Sequence, residues 1–495
     1  MNISYNSIGE GIMKTKNMLK LIFGFALIAN LVNAQNFNDA LRLTDDGIIT
    51  SARSLGMGNA AISIPNDLSM AQLNPAGLAL LKKGELNVGV NYNSFSNESN
   101  FFNNSLKQSL GSTNWNQIGF VAPFPTSRGS FAIAIGYNQL KDFNRTLSFD
   151  GFNPGSNSMI QDLANFNDDL AFKLALSYPL YDKNNKYLYD TTVVNGKLNQ
   201  RGDVSQKGGI NSWFLSGALE IEKDVFFGAT LNLISGTFDK TRNYMEEDTK
   251  NNYPSSVLLD PIEPLSANFL SFSTTDRLNW EISGWDLKLG LIAKIDEKLS
   301  AGFTIHIPRV YTIKESYQVT GESLFGTGKR WTYDSGISKI QYDVSTPYEY
   351  AVGLSYQEKN YTLSANAKFV DYTTLVFSSG FATATRNNKN RDIQALFRAV
   401  ISLNAGGEYV IPNTGLALRA GFMYMPSPFK DDPTEYDKKY ITGGLGYNLS
   451  PTVQLNAGLA YGWWKDFGDN YGSGVSRTFQ SISVTNLIVS LKYIL

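Results

Sequence analysis

Residues 453–463 read VQLNAGLAYGW. Val453, Leu455, Ala457, Leu459, Tyr461 and Trp463 take every second place, and Gln454, Asn456, Gly458, Ala460 and Gly462 lie between them. A period of two puts each set on its own face of a β-strand. One face is apolar and ends in aromatic rings, while the other is small or polar. A strand with lipid on one side and a filled or wet lumen on the other needs that pattern.

The pattern recurs from Glu85 onward. Leu86, Val88, Val90 and Tyr92 show it, as do Phe131, Ile133, Ile135 and Tyr137, and later Leu487, Val489, Leu491, Tyr493 and Leu495. Strands are expected at 85–96, 114–123, 130–144, 211–221, 225–238, 277–295, 299–317, 337–356, 360–372, 398–410, 415–425, 440–448, 452–464 and 484–495. Short connections such as Glu222–Asp224, Asp296–Lys298 and Gln357–Lys359 alternate with longer polar ones, of which 146–210 and 239–276 are the longest. A soluble sandwich would also alternate. Segments of about ten residues with aromatic ends, joined alternately by short and long loops, fit an outer-membrane barrel better. The expected fold is all-β, a 14-stranded antiparallel transmembrane β-barrel over 85–495. Residues 169–178 (DLAFKLALSY) alternate too, but counting them would make the total odd. They are assigned to the second outer loop, as a helix or hairpin covering the mouth.

Composition agrees. The chain holds Gly 43, Tyr 26 and Phe 30, with charged residues at 18%, which suits strands and turns. A formal net charge of -1 gives no basic excess for nucleic acid. With no cysteine, disulfides and thiolate metal sites are excluded, and the single His306 excludes any site needing two imidazoles.

The N-terminus reads as an export signal. Lys14, Lys16 and Lys20 precede the apolar run Leu21–Val32, and Val32-Asn33-Ala34 suits a signal peptidase. Residues 1–34 are therefore expected to be removed. Met1–Ile12 does not look like a signal n-region, which makes Met13 an alternative start. The run falls short of the roughly 20 apolar residues of a spanning helix.

Residues 35–84 lack strand period. They are rich in small residues, from ARSLGMGNAA (52–61) to Asn74-Pro75-Ala76-Gly77. Pro75 fixes its own φ and biases Asn74 away from helix. The segment is expected to be a compact plug in the lumen.

Asn74-Pro75-Ala76, the preceding ARSLGMGNAA, Pro347–Tyr356 (PYEYAVGLSY) and Leu418–Tyr424 (LRAGFMY) together make the chain similar to the FadL-type outer-membrane transporters of long-chain fatty acids and other hydrophobic compounds. The resemblance covers nearly the whole mature chain. It implies a 14-stranded barrel plugged by an N-terminal hatch, with Asn74, Pro75, Ala76 and Gly77 as the hatch motif. It implies passive transport, in which the ligand binds outside, the hatch shifts, and the ligand leaves through a gap in the wall. Hydrophobic small molecules such as fatty acids would be cargo. Outer-membrane lipid, lipopolysaccharide and the outer-membrane assembly machinery would be the other partners, with no cofactor, no metal and no nucleic acid. The chain departs from the family in ending on Leu495, so Tyr493 is expected to carry the assembly signal.

Strand parity turns Lys288, Lys368 and Arg419 inward, where one could meet a ligand carboxylate or pair with Asp286 or Glu349. Gly136 is a candidate strand kink, or simply room for the hatch. His306 should face the lumen beside Thr304 as a structural histidine. The acidic runs 246–248 and 431–437 lack calcium-loop spacing and read as solvated charge. Gly56-Met57-Gly58 lacks the third glycine of a phosphate loop. Besides transport, an attachment or shuttle subunit of a protein secretion system stays open. A lipase or protease would need a serine paired to His306, and no nucleophile motif supports it. N-terminal sequencing of protein extracted from outer membranes should read from Gln35; a mature chain retaining Leu21–Val32 would overturn the export signal.

Overall fold

The computed structural model describes residues 37–44, 47–48, 50–64, 67–165, 169–472 and 474–495. The expected signal peptide lies outside the described residues. Fourteen strands form the wall. They are β1 (Glu85–Phe101), β2 (Asn104–Phe124), β3 (Phe131–Asp142, continued by Arg145–Phe152), β4 (Asn199–Glu222) and β5 (Val225–Glu247). Then come β6 (Phe269–Lys294), β7 (Leu299–His306 and Val310–Phe325), β8 (Ser338–Ser345 and Glu349–Glu358) and β9 (Tyr361–Asp371 and Val376–Ser379). The wall is completed by β10 (Ala399–Val410), β11 (Leu416–Met425), β12 (Lys438–Asn448), β13 (Val453–Asp469) and β14 (Arg477–Ile494). Neighbours are antiparallel, and β14 returns to β1 in register from Glu85↔Ile494 to Asn100↔Phe479. The sheet is therefore closed and has no free edge along this seam.

The alternation has the expected sense. Trp213, Leu215, Leu233, Leu354 and Leu363 face outward and are exposed, while Ser212, Phe214, Asn232 and Ser355 between them are buried. An exposed apolar band around a closed barrel is a lipid-facing surface.

The strands run further out than the apolar pattern reaches. β1 and β2 continue as a hairpin turned at Phe102 and Asn103, both at positive φ (44° and 62°), where a long loop was expected. Its arms are Ser- and Asn-rich on both faces, even where Asn93, Asn97 and Ser99 of β1 are buried, so no apolar period marks them. Extension of β3 to β6 likewise shortens the two long loops to 153–198 and 248–268. Residues 169–178 divide between a helix, Asp169–Lys173, and the start of a hairpin, Tyr178–Tyr181 with Tyr187–Thr191.

The hatch comprises α1 (Phe37–Thr44), α2 (Ala52–Gly56), α3 (Met70–Leu73) and a 3-10 turn (Pro75–Leu80). It lies across the lumen against a ring of wall glycines. These face one another across strands as Gly119↔Gly136, Gly228↔Gly290, Gly302↔Gly353, Gly406↔Gly421 and Gly444↔Gly458. Each pair leaves a two-strand-wide slot without side chains. Pro75 and Ala76 occupy the second slot, Ile62 and Ser63 the third, Met57 and Gly58 the fourth, and Gly56 and Ala52 the fifth; Leu68 reaches the first. A Cβ on Gly406 would stand 2.6 Å from the Met57 carbonyl carbon, and one on Gly421 2.5 Å from the same atom. Backbone meets backbone there, so neither side can yield cheaply.

Gly406→Val should therefore unseat the hatch at a cost of more than about 3 kcal/mol. The check is heat-modifiable gel migration against temperature together with trypsin sensitivity at Arg53. Wild-type values for both would contradict the close approach.

Candidate functional site

The hatch motif is held at three points. Asn74 is fully buried; its Nδ2 donates to the Ile62 carbonyl (2.8 Å) and to the wall carbonyl of Leu291 (3.0 Å). Its Oδ1 accepts from the Ala76 amide at 3.2 Å, which caps the 3-10 turn. Pro75 supplies the preset φ of that turn's first position. Gly77 is small because Met70 folds over it. Wall side chains satisfy other hatch carbonyls: Thr230 donates to Ala71 (2.7 Å), Asn116 to Thr50 (2.6 Å) and Thr442 to Gly56 (3.1 Å).

Arg419 does not reach the lumen cavity. Its Nε donates to Glu408 at 2.6 Å, and Arg53 of α2 clamps the same carboxylate at 2.7 and 3.0 Å. A buried guanidinium–carboxylate–guanidinium cluster thus joins hatch to wall. Lys288 and Lys368 do line a lumen cavity of about 160 Å³, together with Asp286, His306, Arg309 and Glu349. Lys368 pairs with Glu349 at 3.2 Å, and Lys288 donates to the Gln72 carbonyl at 2.5 Å. His306 and Thr304 are buried, and His306 Nε2 lies 3.2 Å from Asp286. The cluster sits where β7 and β8 break at Pro308 and Pro347. Those breaks free Arg309 to reach Glu349 at 2.9 Å.

Above the hatch the lumen is lined with buried aromatic rings. Phe143, Phe238, Trp280, Tyr311, Tyr342, Phe377 and Phe397 form a buried basket, and α1 lies in it through Ala40 and Leu43.

The wall is interrupted beside this basket. β2 and β3 pair from Phe124↔Phe131 only as far as Gln117↔Asn138. Beyond that point β3 shifts register against β4 between Gln139 and Lys141, and Lys141 is buried. The break lies past Gly136, which keeps its place in the ladder opposite Gly119 and is small because the Phe214 ring and Gly119 crowd it. Side chains replace the missing backbone bonds: Asp142 accepts from Ser112 (2.5 Å) and Asn114 (3.3 Å). A recess of about 760 Å³ opens here, lined by Trp115, Tyr137, Gln139, Gly208, Gly209, Asn211 and Gly236 among others.

Outside, α4 (Met159–Asn165) and α5 (Asp169–Lys173) close the mouth over an apolar core that includes Phe101, Phe149, Tyr244 and Phe272. α6 (Thr383–Leu396) covers the basket through Ile393. Glu246 is fully buried rather than solvated. It accepts from the Met159 amide (2.8 Å), Gln200 (2.8 Å) and the Tyr244 hydroxyl (2.9 Å). Among the described residues, no group of three or more acidic or histidine side chains is poised for a metal.

Periodicity did not find Lys141, Asp142, Gly208, Gly209 or the Arg53–Glu408 contact. The adjacent Gly208-Gly209 inside a strand was a usable signal of a thin wall.

The fold and lumen define a plugged β-barrel of the bacterial outer membrane. The family model described as "Outer membrane protein transport protein (OMPP1/FadL/TodX)" matches residues 48–485, and the chain belongs to that family. Members are passive channels, so the protein is a FadL/TodX-type outer-membrane transporter and not an enzyme. The fold is similar to a FadL homologue of Pseudomonas aeruginosa, at TM-score 0.55 and 14% identity over 91% of this chain and 99% of that one. It is also similar to the toluene transporter TodX of P. putida, at TM-score 0.53, 14% identity, 91% and 99%. No curated protein matches the sequence.

The outward apolar run of β5 ends at Leu233, so Glu246 stands well outside the bilayer. Burial lifts its carboxyl to about 7, against the lowering by the Met159 and Ile160 amides, Tyr244 and Gln200. A raised carboxyl stabilises the folded cap while protonated. That stabilisation is full below the ordinary carboxylate range and is lost as pH rises through about 7. Hydrogen exchange in 159–165 should accelerate between about pH 5 and pH 8 beyond its intrinsic trend, and Glu246→Gln should remove the excess. An excess that persists in the variant would assign it elsewhere.

Proposed function

We propose that the protein carries long-chain fatty acids or other hydrophobic compounds into the outer membrane, through the aromatic basket and out sideways between β2 and β3. The observation that carries this reading is the contiguity of two features: the basket lies directly behind the only stretch where β2 and β3 have no ladder. Phe143, Ile210 and Phe238 face inward there, while Asn211 and Thr237 face the recess. An apolar solute gains by moving from one apolar environment to another without entering water. The protein has only to shield it through the polar surface layer.

The hatch then has two parts. The portion seated on the glycine slots is a floor, fixed by Asn74 and by Arg53–Glu408. Rearrangement is confined to α1. Lys288 and Lys368 meet the carboxylate of an acidic cargo that reaches the floor, and Arg419 serves the hatch clamp instead. Lipopolysaccharide and membrane lipid surround the upper belt of Trp115, Trp213 and Trp285, and Tyr493 on β14 carries the signal for the assembly machinery.

A second reading, an attachment or shuttle subunit of protein secretion, draws on the outer hairpin. Tyr181, Tyr187, Leu188 and Tyr189 are exposed there, with no part in the cap core. Co-purification of a secreted protein, lost on deleting 178–191, would favour it.

Labelled fatty-acid uptake in bacteria lacking their own transporter tests the first reading. The intact protein should restore uptake. Thr113→Trp with Asn211→Trp should fill the recess and cut uptake several-fold in a correctly assembled barrel. Undiminished uptake through the filled recess would contradict sideways exit.

A further inference from the structure

The basket already contains something shaped like a cargo molecule, namely α1. Its Arg42 lays a planar guanidinium 4.4 Å from the centroid of Phe238 and 5.6 Å from that of Trp280. Its Phe37 stands edge-on to Phe397 at 6.1 Å and to Phe429 at 6.2 Å. Both places accept flat groups, because the walls are rings rather than branched alkyl chains. α1 also offers an acceptor: the Arg42 carbonyl takes a hydrogen bond from Lys141 Nζ at 2.6 Å. Lys141 directly follows the bulge at Leu140 in β3 and is buried at the edge of the wall interruption.

The charge around α1 is not symmetric. The wall and α6 contribute four cations, Lys141, Lys240, Arg242 and Lys389, against three acids, Asp276, Glu315 and Asp392. The two wall acids are both engaged by the wall. Glu315 accepts from Trp280 Nε1 (2.9 Å) and the Tyr342 hydroxyl (3.0 Å), and Asp276 lies 3.5 Å from Arg242. α1 brings one charge of each sign, Asp39 and Arg42, bonded to each other. Its departure leaves the balance of the wall positive and takes from Lys141 the Arg42 carbonyl. An occupant that carries an acceptor restores that bond to the buried ammonium, and one that puts back only apolar surface does not.

We propose that α1 is a resident stand-in, and that the basket is a binding site for an aromatic ring carrying an anionic group. The ring takes the place of the Arg42 guanidinium on Phe238 and Trp280, and the anion takes the place of the Arg42 carbonyl on Lys141. This rests on the transport reading only for its purpose, since binding can be measured without transport. It narrows the cargo from hydrophobic compounds at large to aromatic acids. It also makes Lys141 the residue through which an occupied basket is felt at the β2–β3 interruption.

The test uses the full mature chain in lipid nanodiscs and titration calorimetry with three probes: phenylbutyrate (ring and anion), butylbenzene (ring only) and decanoate (anion only). Phenylbutyrate should bind at least about tenfold more tightly than either other probe. Lys141→Met should abolish that advantage while leaving butylbenzene unchanged, and Lys141→Arg should retain it. Phe238→Leu should weaken both ring-bearing probes and spare decanoate. Heat-modifiable migration shows that each variant is assembled. Decanoate binding as tightly as phenylbutyrate, or an advantage that survives Lys141→Met, overturns the proposal. Ring-and-anion selectivity in a protein that restores no uptake would sink the transport reading and leave the site. Uptake without that selectivity would do the reverse.

Discussion

The close approach of the hatch backbone to the wall backbone is the contact on which the rest of the structure depends. Five cross-strand glycine pairs remove side chains from the inner face at one level, and the hatch occupies the slots they leave. Glycine weakens a strand by roughly 0.5–1 kcal/mol relative to alanine, so this many on the inner face need a return. The return is a packed interior: Leu68, Met70, Ala76 and Leu78 on one side of the hatch, and Ala52, Leu55 and Met57 on the other, are all fully buried. The hatch carbonyls then find donors on wall residues such as Thr230, Asn116 and Thr442. A barrel of this width without the plug would be an open pore. With it, the lower lumen is as solid as a soluble core.

Much of this could be read in the sequence, and the limits have physical causes. The lipid-facing half of each strand was legible because lipid demands an apolar residue at every second position. The outer halves were not: their outward face meets water, which makes no such demand, and buried inner places such as Asn97 and Ser99 are polar, so the Ser- and Asn-rich hairpin of β1 and β2 looked like loop. Asn74-Pro75-Ala76 was legible as a motif, and its wall partners Gly228, Gly290 and Leu291 were not, since they are more than 150 residues away in the chain. Parity turned Lys288, Lys368 and Arg419 inward, but it could not separate the two that line a cavity from the one sealed against Glu408. The interruption after Gln139 escaped because one register shift changes no residue type.

The fixed floor also explains why the variable features gather above it. The aromatic basket, the separation of β2 from β3 and the cap over the mouth all lie on the outer side of the glycine ring. Apolar solutes that enter there meet a sealed lower lumen and a thin wall, at Gly208, Gly209 and Gly236, beside the recess. The proposed sideways exit would take an apolar solute into lipid rather than water.

Two engineered disulfides in this cysteine-free chain separate floor from exit. Ser112→Cys with Asp142→Cys would clamp β2 to β3, where those side chains now bond at 2.5 Å. Gln72→Cys with Asn232→Cys would lock the hatch to β5, where the bond is 2.7 Å. Uptake of a labelled hydrophobic compound should stop in the oxidised first variant, return on reduction, and continue in the oxidised second. Uptake that survives the β2–β3 clamp but stops when the hatch is locked would show that cargo passes through the floor, and would contradict the account.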